Sequence, residues 1–134
     1  MLYHAVVWID HRQAHVQGFT RDASENSYVK ALGNPHKIHH RSGSIKGGKA
    51  PVNLQFFALV AEALNGAQEV LIVGPGQAKD EFIKYLDSHH PQLAKKILGV
   101  ETADHPTDGQ LLEHARRFFR AADRMLVQPG SRRV

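Results

Sequence analysis

The chain has 134 residues, 42% of them hydrophobic, which is the size of one globular domain able to bury roughly two-thirds of its unfolded surface. The absence of cysteine excludes disulfides and thiolate metal sites and suits a reducing compartment. No apolar run approaches the ~20 residues of a membrane-spanning helix, and the opening MLYHAVVWIDHR has no charged leader, so the expectation is a soluble, unprocessed, cytoplasmic protein with no membrane partner.

His4 to Ile9, HAVVWI, is a compact run of β-branched and aromatic residues, short enough for a strand buried on both faces. Asp10 to Gln13 is a turn, and Ala14 to Phe19 returns antiparallel as a hairpin. A second polar turn over Arg21 to Asn26 leads to a third strand at Ser27 to Leu32, interrupted by Gly33-Asn34-Pro35. From Asn53 the period becomes helical, with Phe56, Phe57, Val60, Ala61 and Leu64 on one face and Gly66 as the stop. Glu69 to Val73 is a buried strand, followed by Gly74-Pro75-Gly76 and a helix on Phe82, Ile83 and Leu86 that Pro91 ends. Ile97 to Thr102 is a short strand. Thr107-Asp108-Gly109-Gln110 fits a capping box, opening a helix with Leu111, Leu112, Ala115, Phe118, Phe119, Ala122 and Leu126 on one side and most of the arginines on the other.

Three strands in meander followed by helix, strand, helix, strand, helix predict an α/β fold with a mixed five-stranded sheet. Its first half is antiparallel and its second half parallel through right-handed crossovers, with helices on the faces, the ribonuclease H-like topology. Residues 1–128 form the expected domain and 129–134 a flexible tail.

The net charge of +4 is unevenly placed. From Asn26 to Ala61 there is no Asp or Glu, while Lys30, Lys37, Arg41, Lys46 and Lys49 are all cationic. Arg116, Arg117, Arg120, Arg124, Arg132 and Arg133 face only Asp123 in the C-terminal stretch, and the remainder of the chain is acidic in balance. Two basic patches on an acidic body point to a polyanion. The segment from Pro35 to Pro51 is long, glycine-rich and cationic, and a loop of more than ~12 residues without structure of its own is usually functional or disordered. Gly43, Gly47 and Gly48 permit backbone approach to a phosphate or base. Arg41, Lys46 and Lys49 neutralise phosphates, contacts that position without reading sequence, and His39 and His40 add rings that stack on bases or share phosphate contacts.

Ten histidines invite a metal reading, in which His36, His39 and His40 would meet His89, His90, His4, His11 and His15, but no ligand spacing of a zinc site is present. Asp10 ends the first strand where a two-metal nuclease holds a carboxylate, with Glu62, Asp104 and Asp108 as the available partners. Its ordinary role is to order the hairpin turn. Gly74-Pro75-Gly76-Gln77 stands between a strand and a helix, where an anion can bind, but it lacks a full phosphate-binding pattern and Pro75 removes an amide donor, so a tight turn is expected. No catalytic residue, metal or cofactor is assigned from these motifs.

Val6-Val7-Trp8-Ile9-Asp10, the basic run His39-His40-Arg41-Ser42-Gly43, Val70 to Gly76 with Lys79 and Phe82 after it, and Asp108-Gly109 occur in the order and spacing of a known domain. From His4 to Met125 the chain resembles the middle domain of archaeal and eukaryotic class I release factors and Pelota, and in particular the compact bacterial relatives known as translational machinery proteins. In that family a His-x-Arg-Gly-Gly-Gln element enters the peptidyl-transferase centre and promotes release of the nascent chain. Here Ser44, or Lys49 in a second register, stands where the glutamine belongs, so the resemblance does not carry peptidyl-tRNA hydrolysis. What it implies is a translation-associated protein, in ribosome rescue or hibernation, that binds rRNA or tRNA through His39, His40, Arg41, Gly43, Lys46, Gly47, Gly48 and Lys49, with Arg116, Arg117, Arg120 and Arg124 as a second cationic surface. The alternatives are a metal-dependent hydrolase or nuclease using Asp10 and histidines, and a module that binds an acidic protein.

Overall fold

The computed structural model describes residues 3–31 and 53–127, the side chains of 123–127 excepted. Its centre is β1 (Tyr3–Ile9), fully buried from Ala5 to Ile9. Burial on both faces follows from its neighbours: β2 (Gln13–Phe19) pairs with it antiparallel, with His4 opposite Phe19 and Ile9 opposite Ala14, and β4 (Ala67–Gly74) pairs with it parallel, with Val7 opposite Ile72. Adding β3 (Ser24–Lys30) and β5 (Ile97–Thr102) gives one sheet in the order β3-β2-β1-β4-β5. The mixed five-stranded, ribonuclease H-like α/β architecture expected from the element order is the one present.

Alternation along the strands sorts the core into two halves. Ala5, Val7, Ile9, Ala14, Val16, Val70 and Ile72 join Phe56, Phe57, Val60, Phe82 and Leu86 on the face covered by α1 (Leu54–Ala63) and α2 (Ala78–His89). Val6, Trp8, Phe19, Leu71 and Val73 join Leu111, Ala115 and Phe119 of α4 (Asp108–Val127) on the other.

The local signals act as their chemistry dictates. Asp10 Oδ1 accepts from Arg12 N at 2.8 Å and Gln13 N at 2.9 Å, closing the first hairpin. Asn53 caps α1 through Phe56 N, and Gly66 takes φ +94° after the helix, a conformation side chains disfavour. Thr107 and Gln110 form a reciprocal capping box, Gln110 N donating to Thr107 Oγ1 at 3.1 Å and Thr107 N to Gln110 Oε1 at 2.9 Å.

The buried strands run one or two residues beyond expectation, β4 from Ala67 to Gly74, and two further boundaries differ in kind. The third strand begins at Ser24 rather than Ser27, because Thr20 N donates to Ala23 O in a tight turn. β3 lies at the sheet edge with almost every residue exposed, so Ser24, Glu25 and Asn26 can be strand without the hydrophobic pattern that would reveal it. Pro91 does end α2, and it also opens a short α3 (Pro91–Ala94), where a first-turn proline gives up no helical hydrogen bond.

Candidate nucleic-acid interface

Strand β3 and the described arginines of α4 meet opposite ends of the sheet. Lys30 pairs with Gln13, beside the end of β1, and Ala31 N donates to Arg12 O at 2.8 Å. The chain therefore leaves β3 at the end where β1 finishes. Of the predicted contact residues, His39, His40, Arg41, Gly43, Lys46, Gly47, Gly48 and Lys49 lie outside the described residues, as does the ligand candidate His36. Arg116 and Arg120 of α4 belong to the other end, near His4 and Thr20, about 17 Å away at ~3.3 Å per strand residue.

Those arginines are not equivalent, and Arg116 does not face away from the apolar side of α4. Its Nη1 donates to Thr20 O at 2.7 Å and Arg21 O at 3.1 Å, its Nη2 to Ala23 O at 3.4 Å, and its guanidinium lies 5.2 Å from the Phe19 ring centre. Arg116 thus ties α4 to the β2–β3 turn. Arg117 is exposed and pairs with Glu113 one turn earlier at 3.2 Å, a contact of small worth in water. Arg120 is exposed and, with Arg21, borders a cleft of about 290 Å³ whose walls are His4, Phe19, Arg116 and Phe119. The side chain of Arg124 lies outside the described residues. Arg21, His4 and the two phenylalanines were not legible as neighbours in the sequence, since only the pairing of His4 with Phe19 and the docking of α4 bring them together.

The described histidines are dispersed among separate partners. His4 Nε2 is 2.9 Å from Glu69, His11 Nε2 3.0 Å from Glu81, and His89 and His90 adjoin Tyr85. His15 is buried with Nε2 3.0 Å from Asn26 Oδ1 and Nδ1 3.1 Å from Asp108 Oδ1, and its ring stacks on Tyr28. Asp108 is the hub of that group: it also accepts from Tyr28 Oη, and its carbonyl accepts from the buried Gln17 side chain at 3.0 Å. Hydrogen bonding to Asp108, then burial, then the negative charge raise the Tyr28 phenol above its ordinary pKa. Asp10, Glu62, Asp104 and Asp108 likewise do not converge: Asp10 bonds within its turn, Glu62 lines a cleft between α1 and α2, and Asp104 is tied through its backbone carbonyl to Trp8 Nε1. Among the described residues no group of three or more His, Asp or Glu is placed to hold a metal.

Gly74-Pro75-Gly76 is a tight turn. A Cβ on Gly74 would lie 2.3 Å from Ile9 O, so only glycine lets β4 finish against β1, and Lys79 Nζ folds back to donate to Gly76 O at 2.6 Å. No helix among the described residues is long and apolar enough to cross a membrane.

Comparison with known proteins bears on this architecture. No family model matches the chain. A Pelota homolog from Methanocella arvoryzae is 36% identical over 58 residues, 41% of this chain and 16% of that protein. The crystal structure of Archaeoglobus fulgidus Pelota superposes with TM-score 0.59 at 17% identity, covering 92% of this chain and 38% of that one. The archaeal translation termination factor aRF1 superposes with TM-score 0.57 at 19% identity, over 92% of this chain and 39% of that one. The chain thus spans well under half the length of the proteins it matches. Its fold is that of the matching domain in Pelota and aRF1, as the resemblance to release factors and Pelota drawn from the sequence implied.

Proposed function

We propose that the protein is a cytoplasmic, translation-associated factor that binds RNA on the ribosome, in rescue or hibernation. One observation carries this reading: an acid-free run from Asn26 to Ala61 bearing five cations and the three glycines Gly43, Gly47 and Gly48 is set within a chain that folds like Pelota and aRF1. Gly43, Gly47 and Gly48 let backbone approach RNA. Arg41, Lys46 and Lys49 neutralise rRNA or tRNA phosphates, and His39 and His40 stack or share those contacts. Arg116, Arg117, Arg120 and Arg124 add a second positive field at the far end of the sheet. Ser44 or Lys49 stands in place of the family's glutamine, so the activity proposed is binding rather than peptidyl-tRNA hydrolysis.

Co-sedimentation with ribosomes, before and after nuclease treatment and across a salt series, tests this. Association should be nuclease-sensitive and should fall with salt by about 0.7 logarithmic units per single-strand phosphate contact, per tenfold salt. Affinity indifferent to salt, or unaffected by Arg41→Ala/Lys46→Ala/Lys49→Ala, would overturn it.

A further inference from the structure

The cleft at the β2–β3 turn has the build of a binding site rather than of an incidental cationic surface. Arg116 is fixed there by three backbone carbonyls and the Phe19 ring. These acceptors are neutral, so they hold the guanidinium in place without cancelling its charge, and the cost of ordering it is met on folding rather than on binding. Arg21 and Arg120 stand at the mouth with their side chains in solvent. Among the described residues no carboxylate lines the cleft. Glu69, the acid nearest His4, is engaged by that imidazole at 2.9 Å, and Asp22 beside Arg21 is exposed outside the lining. Phe19 and Phe119 supply an apolar floor, which keeps bulk water from one side of the cations and strengthens their field. The volume, 290 Å³, is at the small end of ligand pockets.

We propose that this cleft takes a phosphate group of an RNA strand, as a contact separate from the loop. A planar guanidinium fork pairs with two phosphate oxygens at once, and three arginines around one opening exceed what a solvated helix face needs. This rests on the RNA reading above and extends it. With the cleft about 17 Å from the end where β3 finishes, a strand several nucleotides long engages both ends of the sheet. The second contact then forms at high effective concentration.

The test uses the full chain and two probes, inorganic phosphate followed by NMR and a single-stranded RNA followed by salt-dependent binding. Phosphate should cause saturable shifts at Thr20, Arg21 and the Arg120 side chain, absent in Arg21→Ala/Arg120→Ala and intact in the loop variant Arg41→Ala/Lys46→Ala/Lys49→Ala. In RNA binding the Arg21→Ala/Arg120→Ala variant should lose several-fold in affinity and at least half a unit of salt slope, about one single-strand phosphate. Absence of saturable shifts, shifts that survive the double variant, or an RNA salt slope unchanged in it would each overturn the proposal. Phosphate shifts without any RNA binding would overturn both the RNA assignment of the cleft and the function proposed above. A loop variant that binds RNA as wild type while the cleft variant does not would support the cleft as the RNA site and overturn the loop-based reading above. Both substituted arginines are exposed, so the fold should survive, and circular dichroism of the variants checks that it does.

Discussion

The two faces of the sheet are covered by different means. On the side of α1 and α2, two helices lay Phe56, Phe57, Val60, Phe82 and Leu86 onto alternate residues of β2, β1 and β4. The rings of Phe57, Phe82 and Tyr85 pack edge to face and stacked, with Phe57 and Phe82 centres 5.4 Å apart. On the other side, among the described residues, a single helix covers the same strands with a narrower stripe of Leu111, Ala115 and Phe119. One helix cannot cover a five-stranded face, and polar clamps complete the seal: Gln17 and His15 on Asp108, Trp8 Nε1 on the Asp104 carbonyl, His114 against Glu101 and Arg116 on the turn carbonyls. Residues that look like free surface chemistry in the chain are, on this face, partly docking hardware.

Removing a ring from each face gives the largest effects and the sharpest contrast. Phe82→Ala, fully enclosed, should cost about 5 kcal/mol in urea unfolding, whereas Phe119→Ala, which borders the open cleft, should cost nearer 3 kcal/mol because its surroundings can relax or admit water. Equal losses would break the distinction between the faces. Gln17→Leu should cost about 2 kcal/mol, as the hydrogen bond from the buried Gln17 amide to the Asp108 carbonyl is lost. A neutral result would show that the clamps are ornamental to stability. Gly99→Ala should cost only about 1 kcal/mol. Its Cβ would meet the tip of Phe118 at 2.7 Å, a half-buried side chain that can swing aside. A loss as large as that of Phe119→Ala would mean that α4 is seated more rigidly than its contacts imply.

The smallest effect is alkaline. Tyr28 is raised first by its bond to Asp108, and Tyr3 is raised first by burial and then by Glu25. A pKa raised on folding adds stability that is complete below the unfolded value near pH ~10 and is lost as the pH climbs through the folded one. The α4 face should therefore weaken only above that point. Phenolate absorbance at 295 nm should show Tyr28 ionising late, and Asp108→Asn should bring its midpoint down. An unchanged midpoint would remove Asp108 as the cause.

Much of the fold was legible because its elements state themselves locally. HAVVWI and EVLIV are apolar enough to be strands buried on both faces, and Asn53, Gly66, Thr107 and Gln110 mark helix ends through bonds to their near neighbours. β3 was misplaced by three residues because an edge strand exposed on both faces carries no periodic signal. The cleft was illegible for a different reason: His4, Arg21 and Arg116 are separated by many residues and acquire a common wall only when β1 pairs with β2 and α4 lands across them.

From its order of residues alone, then, this protein determined its element order, its mixed sheet, its turn and cap chemistry and the acid-free cationic stretch, because each depends on period, composition or contacts within a few positions. Only the tertiary structure decided which arginine is tethered and which is free to meet a ligand, that the described histidines disperse onto separate partners, and that Arg116 and Arg120 stand at the end of the sheet opposite to where β3 finishes. Those outcomes depend on which distant backbone carbonyl, carboxylate or ring a side chain reaches, and strand pairing and helix docking set that reach.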